Sequence, residues 1–406
     1  MAKRDEIVVG LDLGTTKVSA VVAEQTENAP TLNVLGVGSA ECSGIKQGAV
    51  VSIDATVKAI GEAVAAAEAM SGVDIHAVVA GVSGTHMRGL NNRAGVGVKG
   101  ERVTMEDIGN VLEQVRAVEL GRDDEVIQVV PRHYTLDSQS AIGNPLGMVG
   151  DRLSVEAHVV IGAASSVQNL LTCVERAGLQ VDHLAPQQLA SAHAVLSPEE
   201  LELGVALLDI GGGTTDMAVF TDGALCHTWV LPLGGTHVTR DVSHGLSTPV
   251  RDAERIKVRY GTALTGEVDP SEQVEVPGVG GREGHSAERR LLADIIGARV
   301  EEILELAAEE LHRSGLSRRI GSGLVVTGGG SLLPGLTEVA RRITGLPCRR
   351  GTPVALAGLV ELAANPKNAT AVGLARLALA GLTQGLAEAA PPRGVARITR
   401  WMQTFF

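Results

Sequence analysis

Ile7–Val22 reads IVVGLDLGTTKVSAVV, and far downstream Val205–Phe220 reads VALLDIGGGTTDMAVF. Each stretch is an apolar strand ending in aspartate, a turn of glycine and threonine, and a second apolar strand. Each is therefore expected to fold as a β-hairpin with a polar tip. One duplication at so long a separation is not a solenoid. It implies two related lobes facing each other across a cleft, a usual place for a small ligand.

The tips share one chemical logic. In Asp12-Leu-Gly-Thr-Thr-Lys17 and Asp209-Ile-Gly-Gly-Gly-Thr-Thr-Asp216, glycine lets backbone N–H groups approach phosphate oxygens, threonine adds hydroxyl donors and Lys17 adds charge. Asp12 and Asp209, at strand ends, are placed to hold a hydrated Mg²⁺, which accepts few direct protein ligands. Either motif alone reads equally well as a glycine-rich turn. A third, Val326-Thr-Gly-Gly-Gly-Ser-Leu-Leu-Pro-Gly335, follows an apolar strand and precedes a helix.

In that order the three motifs resemble the actin, heat-shock chaperone and sugar kinase superfamily. The resemblance implies an α/β, duplicated ribonuclease H-like, two-lobed ATPase fold with ATP and Mg²⁺ in the cleft. It assigns Gly14, Thr15, Thr16 and Lys17 to one phosphate loop and Gly211, Gly212, Gly213, Thr214 and Thr215 to the other. Gly328, Gly329, Gly330 and Ser331 would lie against the adenosine, and Glu254 and Lys257 would meet ribose and base; the simpler reading of that pair is an exposed i,i+3 ion pair. Superfamily members that hydrolyse ATP well place Gln or Glu near the γ-phosphate. Here that stretch reads Ala185-Pro-Gln-Gln-Leu-Ala-Ser-Ala192 and holds no carboxylate. Gln187 is the candidate to orient water, a helix-start glutamine is the plainer reading, and weak or absent hydrolysis is expected.

Helix signals fill the intervals. Asp54 is expected to cap a helix with Val57, Ile60, Val64 and Ala67 on one face, and Thr104 with Asp107 resembles a capping box. Ser166 is expected to open a helix closed by Gly178, and Ser286 a long one stopped by Gly315. Residues 85–163, strands around one helix, read as an insertion.

Longer segments resemble the FtsA family of cell-division proteins. They are Tyr134–Met148 with Gly150–Leu153 and His158–Ile161, similar to that family's subdomain 1C, and Asp252–Gly261 with Val274–Arg282, similar to its subdomain 2B. The implied division is 1–84 with 164–196 as subdomain 1A, 85–163 as 1C, 197–245 with 315–380 as 2A, and 246–314 as 2B. Residues 381–394 become a flexible linker and 395–406 an amphipathic helix. The resemblance further implies homopolymers, recruitment of later division proteins through 1C, and capture of the FtsZ C-terminal peptide by 2B. Arg255, Arg259 and Arg282 are candidate contacts for that peptide.

The end of the chain supplies a physical argument of its own. Val395, Ile398, Trp401, Met402 and Phe405 recur at helical spacing, Phe406 widens that face, and Arg393, Arg397 and Arg400 add charge. Three of the chain's seven aromatic residues lie in its last six positions. A Gly/Ala/Pro-rich tether, 380–394, precedes them. Docking on the protein's own core is the ordinary fate of such a helix, but the tether and the arginines favour anionic lipid, by about 1 kcal/mol per charge near the surface.

Bulk properties agree. With 406 residues, 44% of them apolar, the chain is too long for one core and builds two or three. A net charge of -12 argues against nucleic acid. Four scattered cysteines lack the spacing of disulfide or zinc frameworks and suit a reducing compartment. The first residues lack a secretory signal and no apolar run spans a bilayer, so neither export nor a membrane span is expected; the resemblance to the FtsA family implies the cytoplasmic side of the inner membrane, at the division septum. Two rival readings share the cleft: a pilus-assembly PilM-like protein, and a small-molecule kinase, which would need a general base and leaves the tail unexplained.

Overall fold

The computed structural model describes residues 7–25 and 31–383. β1 (Ile7–Leu13) and β2 (Lys17–Gln25) form the first expected hairpin, with Asp12 opposite Ser19, and β3 (Leu32–Glu41) extends it. A short ribbon, β4 (Ile45–Lys46) and β5 (Ala49–Val50), leads into α1 (Ile53–Ser71), and β6 (Ala77–Val82) returns parallel to β1. α1 buries Thr56, Ala59, Ile60, Ala63, Val64 and Ala67, one stripe at helical spacing. Its cap is Ser52, whose Oγ accepts from Ala55 N at 3.4 Å, and not Asp54. Ser52 has the extended backbone a cap requires, whereas Asp54 is already inside the first turn.

The insertion follows: β7 (Arg88–Gly97), α2 (Met105–Arg116), β8 (Asp124–Leu136), β9 (Gln139–Ile142) and β10 (Arg152–Ala163), in sheet order β7-β10-β8-β9. The Thr104/Asp107 capping box is present as expected. α2 covers one face of this sheet, burying Val111, Leu112, Val129, Tyr134, Leu153 and Val159. Strand β10 then runs into α3 (Ala164–Arg176). That helix opens two residues before Ser166, because Asp123 satisfies its first donors: its carbonyl accepts from Ala164 N at 2.7 Å and its carboxylate from Ser165 N at 3.2 Å, with Ser165 Oγ donating to the same carboxylate at 2.6 Å.

β11 (Gln180–Pro186) joins β6, and α4 (Gln187–Val195) and α5 (Pro198–Leu203) lead to the second hairpin, β12 (Val205–Ile210) and β13 (Thr215–Thr221), extended by β14 (Ala224–Leu231). Next come α6 (Gly235–Gly245), α7 (Val250–Tyr260), β15 (Gln273–Val276), β16 (His285–Glu288) and α8 (Arg289–Arg313). Ser286 therefore lies in a strand opposite Glu275, and the long helix starts at Arg289. Pairing with β15 claims the backbone groups that a cap at Ser286 would need. β17 (Leu324–Thr327), α9 (Leu336–Thr344) and β18 (Cys348–Arg350) complete the second sheet.

The two sheets repeat one topology. The orders β3-β2-β1-β6-β11 and β14-β13-β12-β17-β18 correspond strand for strand, each an antiparallel trio followed by two parallel strands. The last segment departs from the expected division, which gave 315–380 wholly to the second lobe. β19 (Leu356–Gly358) pairs with β3, and beyond α10 (Val360–Ala363) the helix α11 (Ala369–Thr383) packs on β1 and α4. The cause is a run of small and apolar residues, Ala371, Val372, Leu374, Ala375 and Ala378, buried against the first sheet. Gly373 meets the Ala190 backbone so closely that no Cβ would fit. α11 also extends to Thr383, past the expected start of the linker. The rest of that linker and Val395, Arg397, Ile398, Arg400, Trp401, Met402, Phe405 and Phe406 lie outside the described residues.

Candidate nucleotide-binding cleft

The hairpin tips turn in the same way. Gly14 N donates to Lys17 O at 3.0 Å in the first, and Gly211 N to Thr214 O at 2.9 Å in the second. They face each other across a cavity of about 1110 Å³ between the lobes. A Cβ built on Gly212 would lie 2.5 Å from Thr16 Cγ2, and one on Gly213 2.5 Å from Thr15 Oγ1. The glycines are thus required by close approach of the opposite loop, and loops from both lobes border one space.

Asp12, Gly14, Thr15, Thr16, Lys17 and Gln187 line this cavity from one side; Asp209, Gly211, Gly212, Gly213, Thr214, Glu254, Lys257, Gly328, Gly329 and Gly330 line it from the other. Two expected members turn inward. Thr215, fully buried on β13, donates its hydroxyl to Leu233 O at 2.9 Å, and Ser331 donates its own to Gly328 O at 2.7 Å. Strand alternation sends Thr215 to the face opposite Thr214. Ser331 fixes the turn that presents Gly328, whose φ of +78° is a glycine conformation.

Glu254 and Lys257 form the ion pair of the simpler reading, at 2.7 Å, and both line the cleft. Lys257 Nζ donates to Gly235 O at 3.1 Å and Thr239 Oγ1 at 2.9 Å, tying α7 to the start of α6. Arg255, expected as a partner contact, lines this same cleft and pairs with Asp252 at 3.1 Å. It follows Glu254 on the helix face that looks into the cavity. Arg259 stacks over the Tyr260 ring at 5.1 Å, and Arg282 is exposed in the β15–β16 turn.

Charge is concentrated at the floor. Burial raises the Asp12 carboxyl to about 7, with Lys17 opposing the rise and Asp209 adding to it. Asp209 is raised for the same reason, though its Oδ2 accepts from Ser191 Oγ at 2.5 Å and Thr370 Oγ1 at 3.1 Å. Burial lowers the Lys17 ammonium, which donates to Ser19 and, at 3.1 Å, to Asn368 Oδ1. Two buried carboxylates beside one ammonium are a donor set that would suit a hydrated divalent cation, held by Asp12 and Asp209. Among the described residues no three His, Cys, Asp or Glu side chains form a metal cage.

Several cleft residues had no sequence signal strong enough to single them out. Asp216, buried on β13, accepts from Ser83 Oγ and, at 3.1 Å, from Thr214 Oγ1. Ser83, Thr239, Arg240, Arg251 and Lys367 also line the cavity. The second Asp of the Asp209–Asp216 motif was the available clue. Gln187 heads α4, and its Nε2 donates to Leu13 O at 3.4 Å.

All four cysteines are free and buried, and no helix among the described residues is long and apolar enough to cross a membrane.

Comparison with known proteins agrees with this architecture. The family model described as Cell division protein FtsA matches residues 206–373, and that of the SHS2 domain inserted in FtsA matches 84–161. The chain is 40% identical to Cell division protein FtsA of Pseudomonas aeruginosa over 99% of its length and 98% of that protein's. To the Neisseria meningitidis protein of the same description it is 39% identical over the whole of both chains. Among solved structures it resembles the PilM-PilN type IV pilus biogenesis complex (TM-score 0.65, 19% identity, 91% of this chain and 97% of that one). It also resembles MreB5 of Spiroplasma citri bound to AMPPNP (TM-score 0.56, 13% identity, 95% of this chain and all of that one). These likenesses establish an actin-like fold carrying an inserted subdomain.

Proposed function

Because this chain belongs to the FtsA family of cell division proteins, we propose that it binds ATP with Mg²⁺ between its lobes and assembles with copies of itself. Through its C-terminal amphipathic helix it holds FtsZ filaments on the cytoplasmic face of the inner membrane, and it recruits later division proteins there. The observation that carries the nucleotide reading is the meeting of two matched Gly/Thr turns, Thr16 against Gly212 and Thr15 against Gly213, over Asp12, Lys17 and Asp209.

In this reading the backbone N–H groups of both turns, the Thr15, Thr16 and Thr214 hydroxyls and Lys17 hold the phosphates. Asp12 and Asp209 hold the waters of Mg²⁺, whose charge offsets that of the triphosphate. Gly328–Gly330, Glu254 and Lys257 border the nucleoside. Gln187 is the candidate to orient water, and with no carboxylate in Ala185–Ala192 hydrolysis is slow or absent. Polymerisation presents many tails at once, so a helix that binds lipid reversibly by itself is retained by effective concentration. Arg259 and Arg282, on exposed surface of the second lobe, remain candidates for the FtsZ peptide.

Pull-down of FtsZ with and without its C-terminal peptide tests the tether. Capture that depends on the peptide is expected; equal capture of both forms, or capture of a pilus-assembly peptide in place of FtsZ, sinks this reading.

A further inference from the structure

A second cavity, of about 130 Å³, lies where the insertion meets α4 and the second lobe. Its apolar walls are Val130 and Pro131 of β8, Leu189 of α4, Leu201 of α5, Phe220 of β13 and Leu225 of β14. Two polar groups also line it. His193 is held neutral, burial lowering it to about 4, with Arg376 acting in the same direction. Gln128 is only 3% exposed, yet its side-chain amide has no hydrogen-bond partner among the described residues. An amide open to the cavity offers a donor and an acceptor to whatever fills it.

Size and chemistry define an occupant. Apolar cavities of roughly 150 Å³ accept a benzene-sized molecule. This one adds two uncharged polar groups at the wall, the Gln128 amide and the His193 ring.

α4 separates the two cavities. Gln187 lines the cleft and Ser191 donates to Asp209, whereas Leu189 and His193 line the second cavity. Each pair is spaced by one helical turn, and the pairs are offset by two residues, roughly 200° around the helix. A displacement of α4 at one face is thus felt at the other. The insertion forms one wall of the site and is itself fixed to β14: Asn91 Nδ2 donates to Cys226 O at 3.0 Å, and His158 bridges Asn91 Oδ1 and Thr228 Oγ1 at 2.8 and 2.9 Å.

We propose that this cavity is a regulatory binding site for a neutral monocyclic aromatic compound bearing one hydroxyl or amide, which Gln128 engages, and that its occupancy is transmitted through α4 to the Asp209 side of the cleft. The coupling rests on the nucleotide reading above; the binding site does not.

Phenol is the probe, followed with the full chain by ligand-observed NMR, which needs no nucleotide. Saturable binding is expected. Val130→Phe and Leu201→Phe fill the cavity from different walls, and whichever folds, as judged by circular dichroism, should bind phenol at least about tenfold more weakly. Gln128→Leu should weaken phenol while retaining toluene. Saturating phenol should also change ATP affinity by about threefold or more. No phenol binding to the wild type, or undiminished binding in a folded Phe variant, overturns the site. Phenol bound with ATP affinity unmoved overturns the coupling. A chain that binds phenol and never ATP supports the site and defeats the cleft reading instead.

Discussion

Thr16 and Gly212 meet across the cleft so closely that a Cβ on residue 212 would fall 2.5 Å from Thr16 Cγ2 and 2.7 Å from its Oγ1. Gly212→Val should therefore wedge the loops apart and fill the space for phosphate. ATP affinity is expected to fall by roughly a hundredfold, about 2.8 kcal/mol, in isothermal titration, with circular dichroism unchanged. Retained affinity would count against the assignment of the loops.

Ser191 is one of two hydroxyls that satisfy the buried Asp209 carboxylate. In Ser191→Ala that group keeps only Thr370, so the chain should lose about 1–3 kcal/mol of stability in urea unfolding. A change within error would show that water replaces the hydroxyl and that the contact carries little.

Asp216 gives the chain a pH dependence with a definite sign. Burial raises its carboxyl from 3.8 to about 7, the Ser83 and Thr214 hydrogen bonds opposing the rise and Asp209 and Asp12 adding to it. Between those values the folded chain binds the proton and the unfolded chain does not. The contribution is fully present below the unfolded value of 3.8 and is lost as pH climbs through about 7, so stability falls across that window. Asp216→Asn should flatten the fall and exceed the wild type in stability at about pH 8, measured by urea unfolding in nucleotide- and Mg²⁺-free buffer. An identical slope in both proteins would place the proton elsewhere.

Deleting Arg393–Phe406 should move the protein from anionic liposomes to the supernatant in a sedimentation assay, while the cleft keeps its ATP affinity. Each of the three arginines in that stretch is expected to contribute about 1 kcal/mol near an anionic surface, so binding of the intact chain should also weaken with salt. Unchanged pelleting of the truncated chain defeats the lipid reading of the tail.

The hairpins, the glycine turns and the strand-end aspartates were legible because their signals are local: alternation, a fixed Asp–Gly–Thr spacing and a capping box at Thr104. What escaped was set by distant partners. Asp123 opens α3 ahead of Ser166, β15 draws Ser286 into a strand, and the first lobe's sheet recruits Leu356–Gly358 and α11 from the end of the chain. Within the site, strand phase turned Thr215 inward and a turn hydrogen bond occupied Ser331. Ser83 and Lys367 join the cleft only because β6 and the segment before α11 end beside the first loop, a proximity that no short window of sequence contains.

The most direct test is a crystal structure of the full chain with a non-hydrolysable ATP analogue and Mn²⁺, located by its anomalous signal. The account expects one triphosphate between the Thr15–Thr16 and Gly212–Gly213 turns, with the metal near Asp12 and Asp209. Nucleotide density elsewhere, or loops that bind it from only one lobe, would contradict it.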